Sequence, residues 1–190
     1  SDQGLKVFGH DQSTSLLEGS KSFAKNFMKK YQIPTAVSYD ISEWSAGESV
    51  IAHWPHPLPI VLKADGLAGG KGVVIAASKE EALETLRSFL DGKFGEASRK
   101  IILEEYLNGI ELSQHLLVDV TPDHRNYCLF PACQDHKKLK PEDKGPNTGG
   151  MGAFAPIPFL TNEDMEVMKH MVIDPTLNGL QSEGLVGRGV

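Results

Sequence analysis

Three segments of this 190-residue sequence carry residue types suited to chemistry. The first is Lys63-Ala64-Asp65-Gly66-Leu67-Ala68-Gly69-Gly70-Lys71-Gly72, where lysines bracket a glycine-rich run. Glycine lets backbone N–H groups approach phosphate oxygens, and the lysines supply charge. Two features exclude the P-loop of nucleoside triphosphatases. The interval from Gly66 to Lys71 is one residue short, and Gly72 follows the lysine where that motif needs Ser or Thr. The apolar run 73–77 predicts a strand after the loop, not a helix, so a dinucleotide fingerprint fails as well. A glycine loop alone reads equally well as a hairpin turn.

The second segment, Leu103-Glu104-Glu105-Tyr106-Leu107-Asn108-Gly109-Ile110-Glu111, is a strand running into a turn, with a carboxylate recurring beyond it. Extended backbone offers N–H and C=O groups to an adenine edge, and a carboxylate a few residues on can hold ribose hydroxyls. Alone, an acidic strand end is commonplace. The third segment joins Gln134-Asp135-His136-Lys137 to Gly145-Pro146-Asn147-Thr148-Gly149-Gly150-Met151-Gly152-Ala153. Successive glycines with Asn and Thr form a nest of donors for an anionic or sugar-phosphate ligand. From residue types, the reading stops at an anion or polyol site.

These segments need elements to position them. Periodicity and turn signals predict strands at 5–9, 35–39, 60–63, 73–77, 101–106, 112–120 and 126–134. Ser15 and Ser78 each stand three residues before a Glu, the pattern of a capping box. Phe23, Ala24, Phe27 and Met28 give one helical face, closed by Lys29, Lys30 and Pro34. Residues 43–59 read as a loose helix followed by a loop. Thr161 caps a helix with an apolar stripe of Met165, Met168, Met171 and Val172. Residues 60–107 form a strand, hairpin, strand, helix, strand unit, a small α+β lid with its own core.

Composition narrows the class. With 40% hydrophobic and 23% charged residues the chain can build a globular core. No apolar run approaches a membrane span, and no secretory leader is visible. A net charge of −6 and a pI near 5.6 argue against sequence-independent nucleic-acid binding, despite the local basic run His136-Lys137-Lys138-Leu139-Lys140. Cys128 and Cys133 are too few for a disulfide framework or structural zinc, and predict reduced, partly buried thiols in a cytosolic protein. His53 and His56 lack helical metal spacing and read as surface residues of a loop.

Together, the Lys63–Val73 run, Gln134-Asp135-His136-Lys137 and the 145–153 string resemble the glycinamide ribonucleotide synthetase family of ATP-grasp ligases. Leu17-Glu18-Gly19-Ser20-Lys21 and Ile33-Pro34-Thr35-Ala36 match its pattern too. The resemblance runs in order from about Val7 to the end, and the 145–153 string is highly specific. It implies a partial ATP-grasp fold of the α+β class, a small lid subdomain plus part of a central antiparallel-sheet subdomain. Residues 1–58 are then a linking portion, 59–108 the lid, and 109–190 a central subdomain incomplete at its C-terminal side.

The reaction implied uses ATP with Mg2+, or Mn2+ in its place, to phosphorylate glycine. The amine of 5-phosphoribosylamine attacks the glycyl phosphate, giving glycinamide ribonucleotide, ADP and phosphate. By resemblance Lys25, nine residues before Pro34, and Lys63 sit on the nucleotide phosphates. Gly69, Gly70, Lys71 and Gly72 match the mobile loop over them. Glu104, Tyr106 and Leu107 match the adenine hinge, and Glu111 the ribose carboxylate. Asp135, His136, Lys137, Asn147, Thr148, Gly149, Gly150 and Met151 match segments facing phosphoribosylamine and glycine. Small-molecule substrates and the remaining domains of a parent chain are the implied partners, in the cytosol, with no membrane and no nucleic acid.

The sequence departs from the pattern in three places. The family's magnesium-binding Glu-Phe-Asn and Arg-Phe-Gly-Asp motifs are absent, and their ligands are expected beyond residue 190. The family's N-terminal domain is likewise expected ahead of residue 1, and 44–57 fits the family poorly. The expectation is a piece of a longer ligase, inactive or nearly so alone. The alternatives are another ATP-grasp carboxylate–amine ligase and a non-catalytic nucleotide-binding module.

Overall fold

The computed structural model describes residues 4, 5, 7–68, 71–141 and 144–190, which divide into two compact units, 15–108 and 1–14 with 109–190. In the first unit α1 (Leu16–Gly19) is a single turn and α2 (Lys21–Lys30) a full helix. The cap is Ser20, whose hydroxyl accepts from the Phe23 N–H; Ser15, expected to cap, makes no such bond. The helix stops where Gln32 takes φ 56°, and the Ile33 N–H bonds back to the Met28 carbonyl at 2.8 Å. That reversal sends Pro34 and Thr35 back alongside Lys25.

The sheet of this unit runs β1 (Ser38–Ile41), β4 (Ile101–Glu105), β2 (Ile60–Ala64), β3 (Val73–Ala76), antiparallel throughout. Alternation assigns its faces. Ile41, Ile60, Leu62, Ala64, Ala76, Ile101 and Leu103 pack on Ile51 and Trp54, from α3 (Trp44–Ala52) and just beyond it, and on Ala82, Leu86 and Phe89 of α4 (Lys79–Leu90). Each such Ile, Leu or Phe side chain withdrawn from water contributes about 1.5–3 kcal/mol. The opposite face carries Asp40, Lys63 and Glu104 toward α2. Gly47 sets the approach of α3 to α4: a Cβ there would lie 2.5 Å from Leu86 Cδ2 and 2.9 Å from Ile41 Cγ2. Sheet and core thus reach back before residue 59, taking in β1 and the helix read as loose.

Two local readings change. His56 is not a free surface residue; its ring meets Trp54 edge-on at 5.3 Å, and Nδ1 lies 3.6 Å from Glu105. Among the described residues 4–9, no strand forms at the expected 5–9, and Leu5, Val7 and Phe8 are exposed.

The second unit holds a sheet β11 (Gly187–Gly189), β5 (Leu116–Val120), β6 (Arg125–Leu129) and two small pairs. These are β7 (Gln134–Asp135) with β10 (Ala153–Phe154), and β8 (Lys138–Lys140) with β9 (Lys144–Asn147). The expected strand 126–134 ends at Leu129 because Pro131 has no N–H for the ladder. Across from it, 112–115 keep the Ser113–Cys133 bridge and the bond from the Phe130 N–H to the His115 carbonyl. Cys128 is exposed on β6 rather than partly buried.

Thr161 and Asp164 form the capping box of α5 (Asn162–Met168). A π-helical turn, Lys169–Ile173, then joins it to α6 (Asp174–Ser182). That turn overturns the expected stripe. A π turn takes an extra residue, so the inward face passes from Met168 to Ile173, Leu177 and Leu180, while Met171 and Val172 turn out to solvent. Among the described residues no helix is long and apolar enough to cross a membrane.

Candidate functional site

Two lysines and one carboxylate dominate the open face of the first unit. Glu104 is 3% exposed, with Lys25 Nζ at 3.3 Å from Oε1 and Lys63 Nζ at 2.6 Å from Oε2. Lys25 also donates to Thr35 Oγ1 at 2.7 Å and to the Ala36 carbonyl at 2.9 Å. Two ammonium groups against one carboxylate leave a positive excess on a face where Lys63 remains partly accessible. That donor set fits an anion with several oxygens, such as a phosphate chain.

The backbone places these groups accurately. Asp65, two residues after Lys63, reaches the start of α2: its carboxylate accepts from the Ser22 N–H at 2.7 Å and from the Ser20 hydroxyl. Its carbonyl accepts from the Lys21 N–H, and Lys21 Nζ bonds the same oxygen. The strand carrying Lys63 is thereby tied to the helix carrying Lys25. A second tie joins Ser22 Oγ to Asp40 on β1, with Lys100 Nζ at 3.3 Å from that hydroxyl. Asp65 and Thr35 were missing from the sequence-level site. The available signal was Asp65 inside the Lys-Ala-Asp-Gly motif, beside a Ser-x-Ser helix start.

The glycine run ends on a steric requirement. A Cβ at Gly72 would sit 2.7 Å from Ala68 Cβ and 3.2 Å from Ala64 Cβ, while the Gly72 carbonyl accepts from the Ala64 N–H at 2.8 Å. Lys71 is exposed beside it. Gly69 and Gly70 lie outside the described residues.

Beyond Glu104 the hinge segment is open, with Tyr106 and Leu107 at 44% and 64% exposure. Glu105 points the other way, accepting from the Val37 N–H at 2.8 Å.

The remaining expected site residues belong to the second unit. Lys137 Nζ lies 3.8 Å from Asp135 and 4.0 Å from the exposed Glu111. His136 stacks on Phe154 at 5.8 Å. Asn147 is in β9, registered with Lys138, so the glycine-dense segment begins as a hairpin strand. Thr148, Gly150 and Met151 use their N–H groups inward, on the Lys137 carbonyl, Thr148 Oγ1 and the His136 carbonyl. The string is a braced hairpin more than a donor nest. Gly149 and Met151 stay exposed.

Comparison with known proteins decides the family. A model of the phosphoribosylglycinamide synthetase ATP-grasp (A) domain matches residues 19–190. The chain belongs to the phosphoribosylglycinamide synthetase ATP-grasp family. Phosphoribosylamine–glycine ligase of Listeria monocytogenes is 41% identical, over 100% of this chain and 44% of that protein. The crystal structure of phosphoribosylamine–glycine ligase from Thermotoga maritima superposes with a TM-score of 0.80 at 36% identity, covering 96% of this chain and 45% of that one. At 18% identity, the biotin carboxylase domain of Hydrogenobacter thermophilus 2-oxoglutarate carboxylase, solved with MgADP and bicarbonate, shares the fold alone (TM-score 0.67, 97% of this chain and 38% of that one).

The chain therefore has the ATP-grasp fold and spans less than half the length of these relatives. ATP-grasp ligases use ATP with Mg2+. The Lys25–Glu104–Lys63 set fits the nucleotide's phosphates. For the cation the donors differ: among the described residues no group of three or more His, Cys, Asp or Glu side chains is placed to hold a metal.

Proposed function

We propose that this chain is the phosphate-gripping part of a phosphoribosylamine–glycine ligase. The whole enzyme would transfer the γ-phosphoryl group of ATP to the glycine carboxylate, releasing ADP. The amine of 5-phosphoribosylamine then attacks the carbonyl carbon of glycyl phosphate, and inorganic phosphate leaves as the amide forms. Phosphorylation turns a carboxylate oxygen, a poor leaving group, into a good one, and cationic groups stabilise the charge on the transferring phosphoryl group.

The observation that carries this reading is the buried Glu104 with an ammonium group on each oxygen. Such a pair, preset by α2 and β2, binds and orients a triphosphate without reorganising. Within this reading the lid is the β1-β4-β2-β3 sheet with α3 and α4, and Lys71 and Gly72 belong to the loop over the phosphates. Asp135, His136, Lys137 and the 145–152 hairpin serve the sugar phosphate and glycine, and Glu111 the ribose. A divalent cation would offset charge on the phosphates, and its ligands would come from outside these residues. The setting is the cytosol.

Glycine- and phosphoribosylamine-dependent ADP release from the full-length protein tests the activity. Release that persists without either substrate, or its absence, rejects it. The isolated 190 residues should bind ATP but turn over little or not at all, and full turnover by them would reject the division of labour.

A further inference from the structure

We propose that Thr35 is a positioning residue: its hydroxyl holds the ammonium group of Lys25 in place for a phosphate chain without cancelling its charge. This rests on the phosphate-site reading above. Lys25 Nζ donates to Thr35 Oγ1 at 2.7 Å and to the Ala36 carbonyl at 2.9 Å, and lies 3.3 Å from Glu104 Oε1. Two of these partners come from consecutive residues of the segment that turns back at Gln32, where φ is 56°. Both are neutral. A lysine stem has many rotamers, and each fixed acceptor narrows where its ammonium group can stand. A further carboxylate would do the same but would neutralise the charge that an anion needs. A hydroxyl and a carbonyl orient the group and leave its charge for the ligand. The Ala36 carbonyl is backbone that other residues would supply as well, whereas the hydroxyl is specific to the side chain at 35. Thr35 is itself exposed, so that side chain can be changed without opening the core.

The test compares two variants of the full-length protein. Thr35→Val keeps the branched shape without the hydroxyl, and Thr35→Ser keeps the hydroxyl. ATP affinity is read by titration calorimetry in the presence of Mg2+, and the KM values for ATP and glycine from ADP release. Thr35→Val should weaken ATP binding about 3–10-fold, the scale for losing one of several hydrogen bonds to the same ammonium group. Thr35→Ser should recover most of that loss. The KM for glycine and the thermal midpoint should stay at wild-type values, because the loss is confined to the grip on the nucleotide. Lys25→Met removes the ammonium group, and adding Thr35→Val to it should cost no further ATP affinity, since Thr35 acts through Lys25.

Wild-type ATP affinity in Thr35→Val would overturn the proposal, as would equal losses in Thr35→Val and Thr35→Ser. Losses that add in the double variant would overturn it too, since Thr35 would then act by a route other than Lys25. So would a KM for glycine that rises in step with the one for ATP, the mark of a general disturbance. If Lys25→Met does not fold, the Val and Ser variants decide alone: loss with recovery supports the proposal, and any other pattern rejects it. If Lys25→Met folds and keeps wild-type ATP affinity, the phosphate-site reading fails and the proposal falls with it. A loss in Lys25→Met without one in Thr35→Val rejects the proposal alone.

Discussion

Lys63 and Glu104 meet on the diagonal of the β2–β4 ladder, not as direct partners. Glu104 is in register with Val61 and Lys63 with Ile102, yet ammonium and carboxylate stand 2.6 Å apart. Diagonal neighbours on one face lie within reach of long side chains. The geometry brings Lys63 to one carboxylate oxygen and leaves the other for Lys25, arriving from the helix.

Under the proposed function, Lys63→Ala should lower glycine- and phosphoribosylamine-dependent turnover about 100-fold or more, the scale for losing one preorganised charge donor. Steady-state ADP release with both substrates measures it. Near-normal turnover would remove Lys63 from the machinery.

Asp65→Ala should cost about 1–2 kcal/mol, because the Ser22 N–H and the Ser20 hydroxyl lose their acceptor at the start of α2. Urea unfolding gives the number. Asp65→Asn, which keeps an acceptor oxygen, should recover much of the loss, and equal losses in both variants would argue against the capping account.

Gly47→Ala tests the α3–α4 crossing. Alanine favours helix over glycine by about 1 kcal/mol, but its methyl would press on Leu86 and Ile41. Overpacking of this kind costs about 1–3 kcal/mol. A net loss of stability is expected; a gain would show that α3 and α4 can move apart freely.

Ile173→Ala should cost about 2–5 kcal/mol as a buried truncation, whereas Met171→Ala should stay within about 0.5 kcal/mol. Chemical denaturation of the pair checks the phase set by the π turn. Reversed values would restore the uninterrupted stripe.

The acid limb of stability should involve Asp119. Hydrogen bonds from His124 and then Arg188 hold its carboxyl below the ordinary aspartate value, as Thr161 does for Asp164. A lowered folded-state value means stability that is fully present above the unfolded value, about 3.9. It is lost as pH falls through the lower, folded value. Thermal midpoints of Asp119→Asn and wild type should therefore converge below about pH 4. A gap that stays constant down to pH 2 would exclude this linkage.

Much of the frame was legible in the residues. The strand–hairpin–strand–helix–strand order of 60–105 follows from apolar runs, the glycine turn and Ser78, because short-range periodicity and caps report local structure directly. The family was legible too, since glycines at steric limits such as Gly72 and lysines at fixed spacing leave a pattern in the chain itself. What spacing cannot express is which partner a charged side chain finds. From the sequence Glu104 is a carboxylate near a strand end; pairing of β4 with β2 beneath α2 is what brings both Lys25 and Lys63 to it. Nor does spacing show that the Asp65 carboxylate meets the helix start 43 positions earlier. The stripe at Met171 and Val172 failed for a similar reason: one extra residue in a π turn rotates everything after it, and no composition rule marks where that turn falls. Local elements were set by neighbouring residues in the chain. The charge balance of the site was decided by strand register and helix docking, which bring together groups far apart in sequence.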